Sequence, residues 1–234
     1  MKKFLIYSLT VCMAALGFTS CNDDSDDHTD KRITYYPTVT LEGDDYIIVD
    51  KGTPFVDPGY SAELQGEDAT SRVVVDSNVD TNKSGVYSIT YSLSNADGFS
   101  ATESRTIVVL DANDPVEGFY YTTDDAYRDY NGTITKYGSS YEVLVIGNGD
   151  GTYSVDDLMA GWYAQRAGYG SKYAMQAEIK IAEDGTMSLI DSYVPGWGDR
   201  ADAFEGTYDA NTGTFEYVLA YAGVINFHVT MIKE

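Results

Sequence analysis

The stretch Val86–Leu93, V-Y-S-I-T-Y-S-L, alternates without a slip. Val86, Ser88, Thr90 and Ser92 fall on one side of an extended chain, and Tyr87, Ile89, Tyr91 and Leu93 fall on the other. A two-residue period built from β-branched and aromatic residues marks a strand with one buried and one wet face, as antiparallel sheets provide. The stretch lies between D-T-N-K-S-G and N-A-D-G, both turn chemistries. Outward from it, Tyr46–Val49, Tyr60–Leu64, Arg72–Val75 and Arg105–Leu110 repeat the character, separated by K-G-T-P and Q-G-E-D. Residues 33–112 are therefore expected to form a small β-sandwich.

After D-A-N-D-P (Asp111–Pro115) the composition shifts toward Tyr and Gly, and residues 116–234 read as a second domain. Strands are expected at Thr133–Lys136, Tyr141–Ile146, Tyr173–Ile181, Thr186–Ile190, Phe204–Tyr208, Thr214–Tyr221 and Ile225–Ile232, with N-G, G-N-G-D-G, E-D-G and D-A-N-T-G turns between them. Tyr217, Leu219 and Tyr221 share one face, as do Phe227, Val229 and Met231. Strands this close in sequence favour an antiparallel meander curled into a barrel-like form that hides its edges. One segment departs from the period. Val155, Leu158, Met159, Trp162 and Tyr163 follow helical spacing, and Ser154 with Asp157 reads as a capping box, predicting one short helix that ends near Gly168. The fold class is thus all-β with one short helix.

Lys2 and Lys3 precede a mostly apolar run from Phe4 to Phe18, followed by small and polar residues. This is the layout of a secretory signal peptide over 1–20, too short to cross a bilayer comfortably as a helix. Cys12 leaves with it, so the mature chain keeps Cys21 alone and forms no internal disulfide. The full chain carries 37 acidic and 15 basic residues, a net charge of -22; losing Lys2 and Lys3 leaves 13 basic residues, or -24. Such a field repels nucleic acid and acidic membrane surfaces and leaves neutral or cationic partners. The run N-D-D-S-D-D (Asn22–Asp27) reads as a solvated tether within 21–32.

Several motifs resemble known families. F-T-S-C resembles the lipobox of bacterial lipoproteins as written in Bacteroidetes, with Phe18 where Leu is more usual. The resemblance implies a lipid on Cys21 as the only membrane attachment. N-D-D-S-D-D resembles the acidic tag that sends such lipoproteins to the outer face of the outer membrane, which implies exposure to the medium. G-T-P-F-V-D-P-G-Y, N-V-D-T-N-K-S-G-V-Y-S-I-T-Y and N-A-D-G-F-S-A-T-E-S-R-T-I-V-V follow one another between Gly52 and Val109. They resemble the Ig-like domains of bacterial surface proteins, which imply a spacer without catalytic residues. In the C-terminal half, Y-S-V-D-D-L-M-A-G-W-Y, G-Y-G-S-K-Y-A, V-P-G-W-G-D and F-E-G-T-Y-D-A-N-T-G-T-F resemble a domain of small Bacteroidetes lipoproteins sometimes described as lipid-binding. Many of these are encoded near glycan-import systems, which implies an outer-membrane import complex as a partner.

The candidate binding residues are Trp162, Tyr163, Arg166, Tyr169 and Tyr173, joined by Tyr193, Trp197, Asp199 and Arg200. Aromatic faces stack on the apolar side of a sugar ring while Arg and Asp bond its hydroxyls; the same rings can instead line an apolar pocket. The plain structural reading has Trp162 and Trp197 plugging the barrel ends. Trp162 lies on the apolar stripe of the expected helix, so Tyr169, between two glycines, and Trp197, between turn residues, are the better exposed platform.

Other chemistry is poorly supported. D-A-N-D-P resembles the start of the cadherin calcium motif, which would place calcium at Asp111, Asn113 and Asp114; Pro115 replaces the final Asn and no companion motif follows, so an acidic turn and no cofactor are expected. N-G-D-G-T-Y-S-V-D-D fails as an EF-hand because Ile146 falls at the first ligand position. G-Y-G-S-K lacks the Walker order. The histidines, His28 and His228, have neither a zinc pattern nor a nucleophile elbow around them. Asp199 and Glu205 are the best carboxylate pair for glycoside hydrolysis, without a motif to support them. The expectation is a non-enzymatic surface lipoprotein binding a neutral glycan or similar small organic molecule. The alternatives are a carrier of lipid or other apolar ligand in a hollow barrel, and a structural or adhesion accessory.

Overall fold

The computed structural model describes residues 33–234; the signal peptide, Cys21 and the acidic tether lie outside the described residues. The N-terminal part contains strands β1 (Thr38–Leu41), β2 (Tyr46–Asp50), β3 (Tyr60–Leu64), β4 (Glu67–Asp68), β5 (Val74–Ser77), β6 (Gly85–Ser94) and β7 (Ser100–Leu110). They form two sheets, β1-β3-β4 and β2-β7-β6-β5. All pairings are antiparallel except β2 with β7, which run parallel from Tyr46↔Thr106 to Asp50↔Leu110. In β6 the side chains of Ile89, Tyr91 and Leu93 are buried against Val39, Ala62 and Leu64 of the other sheet. The alternation of Val86–Leu93 thus does what its period requires.

One core group has no apolar character. Arg105 is fully buried, where β7 crosses the sandwich. Its guanidinium pairs with Asp57 and donates to the Asp44 carbonyl at 2.8 Å, the Glu42 carbonyl at 2.6 Å and the Tyr91 hydroxyl at 3.0 Å. Tyr91 in turn donates to Asp57 at 2.6 Å. A buried cation is tolerated only when its donors are matched this fully.

The remaining strands are β8 (Gly118–Thr122), β9 (Tyr127–Tyr130), β10 (Thr133–Lys136), β11 (Glu142–Gly147), β12 (Thr152–Val155), β13 (Gln176–Ile181), β14 (Thr186–Tyr193), β15 (Ala203–Asp209), β16 (Thr214–Tyr221) and β17 (Ile225–Lys233). Strands β11 to β17 follow one another as neighbours, β8 pairs with β11, and β8 also pairs with β17 through Met231↔Thr122 to Lys233↔Tyr120. The result is a closed antiparallel barrel of eight strands, which leaves no edge along the seam. The other half of β17, Ile225–His228, pairs with β9, and β10 extends from β9 as a hairpin.

The interior is filled. Tyr120, Tyr137, Met159, Trp162, Met175, Phe215, Tyr217, Phe227 and Met231 are all buried in one cluster. The buried hydroxyls are satisfied: Tyr137 donates to the Met159 carbonyl at 2.7 Å, Tyr217 to the Leu158 carbonyl at 3.0 Å and Tyr120 to the Val116 carbonyl at 2.7 Å. The antiparallel order gives the barrel two poles. At one, the linker 111–117 meets the turns 148–151, 182–185 and 210–213; at the other gather the β9–β10 hairpin and the connections 156–175, 194–202 and 222–224.

The linker carboxylates are occupied by backbone. Asp111 Oδ1 accepts the Asn113 N–H and Oδ2 pairs with Lys51; Asp114 Oδ1 accepts the Val116 N–H; buried Glu117 accepts the N–H groups of Asp111 and Gly147. The N-G-D-G run forms the β11–β12 hairpin, with Asp150 accepting the Thr152 N–H at 3.0 Å.

The helix differs from its expected form. Ser154 lies within β12 and its hydroxyl donates to Asn148, so it caps nothing. Between Ser154 and Gly168 helical geometry is confined to one wide turn, Trp162–Arg166, where Arg166 N–H reaches the Gly161 carbonyl at 2.8 Å and Ala167 N–H the Trp162 carbonyl at 3.1 Å. Gly161 has φ 80, and Ala160 before it has φ 48, so the chain cannot continue a right-handed helix from Asp157 into Trp162. The apolar spacing of Leu158, Met159 and Trp162 is met by a tight turn that buries the same residues.

Candidate functional site

At the pole away from the linker, Asp157 builds the ground on which the site stands. Its buried carboxylate accepts the N–H groups of Met159, Gly161 and Met175, each at 3.0 Å, and so clips both ends of the excursion 157–175 together. Burial pushes this carboxyl up to about 7, against the pull of the three N–H donors. Beyond the wide turn, Tyr169 N–H bonds the Tyr163 carbonyl and Gly170 N–H the Ala164 carbonyl, both at 3.1 Å. Gly170, with φ 86, then turns the chain into the short 3-10 turn Ser171–Tyr173.

A second loop docks on this one. Val194 and Asp199 close it by an isolated bridge, and Gly196 donates its N–H to the Lys172 carbonyl at 2.6 Å. A Cβ at Gly196 would stand 2.5 Å from the Tyr173 ring and 2.9 Å from that carbonyl, so only glycine permits the approach. Trp197 is thereby laid on Tyr173 with centroids 4.8 Å apart and edge-on to Tyr163 at 4.8 Å. Tyr163 and Tyr169 stack at 6.1 Å, and Tyr169 meets Tyr173 at 5.5 Å. Tyr169 is 54% exposed and Trp197 39% exposed, whereas Trp162 is 2% exposed. The structure therefore brings Tyr163, Tyr169, Tyr173 and Trp197 into one open aromatic patch.

The polar candidates are distributed differently. Asp199 borders the patch and accepts the Tyr221 hydroxyl at 2.8 Å; burial, and then this bond, drives that phenol well above its ordinary value. Arg200 turns away: it pairs with Asp191, donates to the Ser192 carbonyl at 2.8 Å and lies 5.5 Å over the Tyr193 ring. Arg166 donates from Nε to the Tyr137 carbonyl at 2.8 Å and covers the Trp162 ring at 4.2 Å. Glu205 faces outward from β15 in a groove of about 650 Å³ that also contains Tyr127, Lys136, Glu216 and His228, while Asp199 stays at the pole. His228 stacks on Tyr127 at 4.3 Å in that groove. Among the described residues no group of three His, Cys, Asp or Glu side chains is placed to hold a metal ion.

Sequence reading missed Arg128 and Tyr221. Tyr221 belongs to a strand face read only as core. Arg128 stands in Y-R-D-Y, a run not read as a strand; once β9 is recognised, alternation sends Tyr127 to the outer groove and Arg128 toward the barrel's end.

Comparison with known proteins gives a consistent picture of the chain's relatives. The family described as bacterial surface protein, Ig-like domain matches residues 39–109, and a family described as a C-terminal domain matches residues 109–233. The crystal structure of the lipoprotein BT2262 from Bacteroides thetaiotaomicron is 37% identical, with TM-score 0.70, over 85% of this chain and 100% of that one. Two structures from Clostridium perfringens ZmpB are far more distant. The M60 catalytic domain with its CBM51-1 and CBM51-2 domains is 17% identical over 84% of this chain and 21% of that one, TM-score 0.28. CBM51-2 in complex with GlcNAc and INT domains is 18% identical over 83% and 43%, TM-score 0.26. At such scores nothing is carried over from either. The curated proteins give no match.

Proposed function

The chain belongs to the bacterial lipoprotein family that includes BT2262, and from that premise we propose that it is a non-catalytic surface protein whose barrel holds an extracellular glycan at the pole away from its linker. The lipid on Cys21 anchors it, the tether and Ig-like domain carry the barrel, and the aromatic patch receives the ligand. The observation that carries this reading is the open arrangement of Trp197 and Tyr169, backed by Tyr163 and Tyr173 rather than covered by them. Large apolar rings left in water on a folded surface mark interaction sites, and their edges and hydroxyls suit a sugar's mixed polarity. The filled interior opposes the lipid-carrier reading, since Tyr120, Tyr137, Phe215 and Phe227 occupy the space a lipid would need. A ligand with little or no negative charge also agrees with the net charge of -22.

The test is a titration of the whole protein with plant and host polysaccharides, followed by tryptophan emission. Trp197→Ala should weaken binding by roughly 5–30-fold, from the loss of about 1–2 kcal/mol of ring contact. Truncation of the Ig-like domain should leave binding unchanged. Wild-type affinity in both Trp197→Ala and Tyr169→Ala would sink the site.

A further inference from the structure

Beside the aromatic patch stands a second arrangement that stacking on a neutral sugar does not use. Trp162 is buried, yet two guanidinium groups lie over its indole: Arg128 at 4.6 Å and Arg166 at 4.2 Å. The two guanidinium carbons are therefore no farther apart than the sum of those distances, whichever faces they occupy. Both cations sit in a chain with 37 acidic residues against 15 basic. Yet among the described residues neither forms an ion pair, while Arg105, Arg200 and Lys51 each do. Arg166 donates only from Nε, to the Tyr137 carbonyl. The Arg128 side chain makes no hydrogen bond among the described residues, and its Nε is shut off from solvent.

Arg166 is exposed and its free donors meet water, whereas Arg128 is half-buried and its Nε lacks an acceptor; two cations left without a carboxylate beside one ring favour an anion from solution. Carboxylates at the same pole have other duties. Asp129, on the opposite face of β9, accepts the Gly132 N–H at 2.7 Å; Asp199 holds Tyr221; Asp202 accepts the Gly223 N–H at 2.7 Å. Contact with the indole holds both guanidinium groups beside one ring and leaves their remaining N–H groups free for a planar or tetrahedral oxyanion. Phe227 joins the two regions, with its ring 6.0 Å from both Trp162 and Tyr163.

We propose that Arg128 and Arg166 form an anion-recognition subsite for one acidic substituent, a carboxylate or sulfate, on the sugar that stacks at Tyr169 and Trp197. This rests on the glycan reading of the aromatic patch and narrows it from glycans in general to sugars bearing a single short-range negative group. The acidic field of the whole chain disfavours densely charged polyanions, so the anion is expected on a short or sparsely charged chain.

The experiment uses the full chain and three probes: galactose oligomers ending in a single galacturonate, the same oligomers with that carboxylate methyl-esterified, and the same oligomers with one sulfate in its place. Binding is followed by tryptophan emission and calorimetry. The acid or the sulfate, according to which anion the subsite takes, should bind at least tenfold tighter than the ester. Arg128→Gln with Arg166→Gln should erase that difference while the ester's own affinity stays put. Arg128→Lys with Arg166→Lys, which keeps charge and packing but loses the planar fork, should restore part of it. Equal binding of ester and both anions, or an anion preference that survives the double Gln variant with its thermal transition intact, overturns the subsite. If only neutral oligomers bind, through Trp197, the subsite fails and the glycan reading stands; if no oligomer or polysaccharide binds, both fail.

Discussion

Replacing Gly196 by Ala should dismantle the aromatic patch without removing any of its rings. The added methyl would meet two carbons of the Tyr173 ring at 2.5 Å and the Lys172 carbonyl at 2.9 Å. The ring contacts are about 1 Å inside the ordinary carbon–carbon separation of ~3.5 Å or more, so something must move. The chain has two ways to yield. Loop 194–199 can lift, giving up the 2.6 Å bond from Gly196 to Lys172; or the turn Ser171–Tyr173 can retreat. Both separate Tyr173 from Trp197, whose centroids are 4.8 Å apart. Overpacking of this kind costs about 1–3 kcal/mol, and the melting temperature should fall by roughly 3–15 °C for a domain of this size. Gly196 has no unusual φ, so the effect is purely steric; Gly198→Ala, at φ 76 with open space around it, is the control for backbone strain alone. The assay is thermal unfolding together with acrylamide quenching of tryptophan emission. Trp162 is buried and silent to the quencher, so an increase reports Trp197. A Gly196→Ala protein with unchanged melting and unchanged quenching would refute this packing of loop against turn.

Two further outcomes follow from buried polar groups. Arg105→Met should destabilise the Ig-like sandwich by about 3–5 kcal/mol in urea unfolding, because it strands Asp57 and three backbone carbonyls that the guanidinium now serves; a loss below about 1 kcal/mol would mean that water replaces it freely. For Asp157, the folded carboxyl titrates at about 7, above its unfolded value, so its protonated form favours folding, and that contribution is lost as pH rises through the folded value. Barrel stability measured between about pH 4 and pH 7 should therefore fall with rising pH, and Asp157→Asn should flatten that slope; an equal slope in the variant would show that other groups set it.

The strand content was legible wherever a two-residue period ran long enough, as in Val86–Leu93, Thr214–Tyr221 and Ile225–Ile232. Strands β1, β4, β8, β9 and β12 escaped because each has five residues or fewer, too short for alternation to stand out, and because Tyr in β8 and β9 falls on both faces. The helix was over-read for a physical reason. Helical spacing reports which side chains must be buried together, and a left-handed Gly161 can meet the same demand with a turn. At the site, exposure of Tyr169 and burial of Trp162 followed from their neighbours in sequence: glycines beside one, an apolar stripe beside the other. The destinations of Arg200 and Arg128 did not, because a long cation is placed by partners such as Asp191 or Trp162 that come from distant strands or loops.

The seam between β8 and β17 places the first and last strands of the barrel side by side. Glu234 N–H bonds the Phe119 carbonyl at 3.0 Å, and Lys233 Nζ reaches the Pro115 carbonyl at 2.9 Å. The barrel's entry and exit thus share one pole, opposite the aromatic loops. A unit built this way is a cassette: it can be spliced into a surface loop of another protein through a single joint, or circularly permuted by bridging its ends, with the recognition loops left untouched. Ligand preference and mode of display can then diverge independently, since the loops that define one and the joint that defines the other never meet in the chain's closing seam.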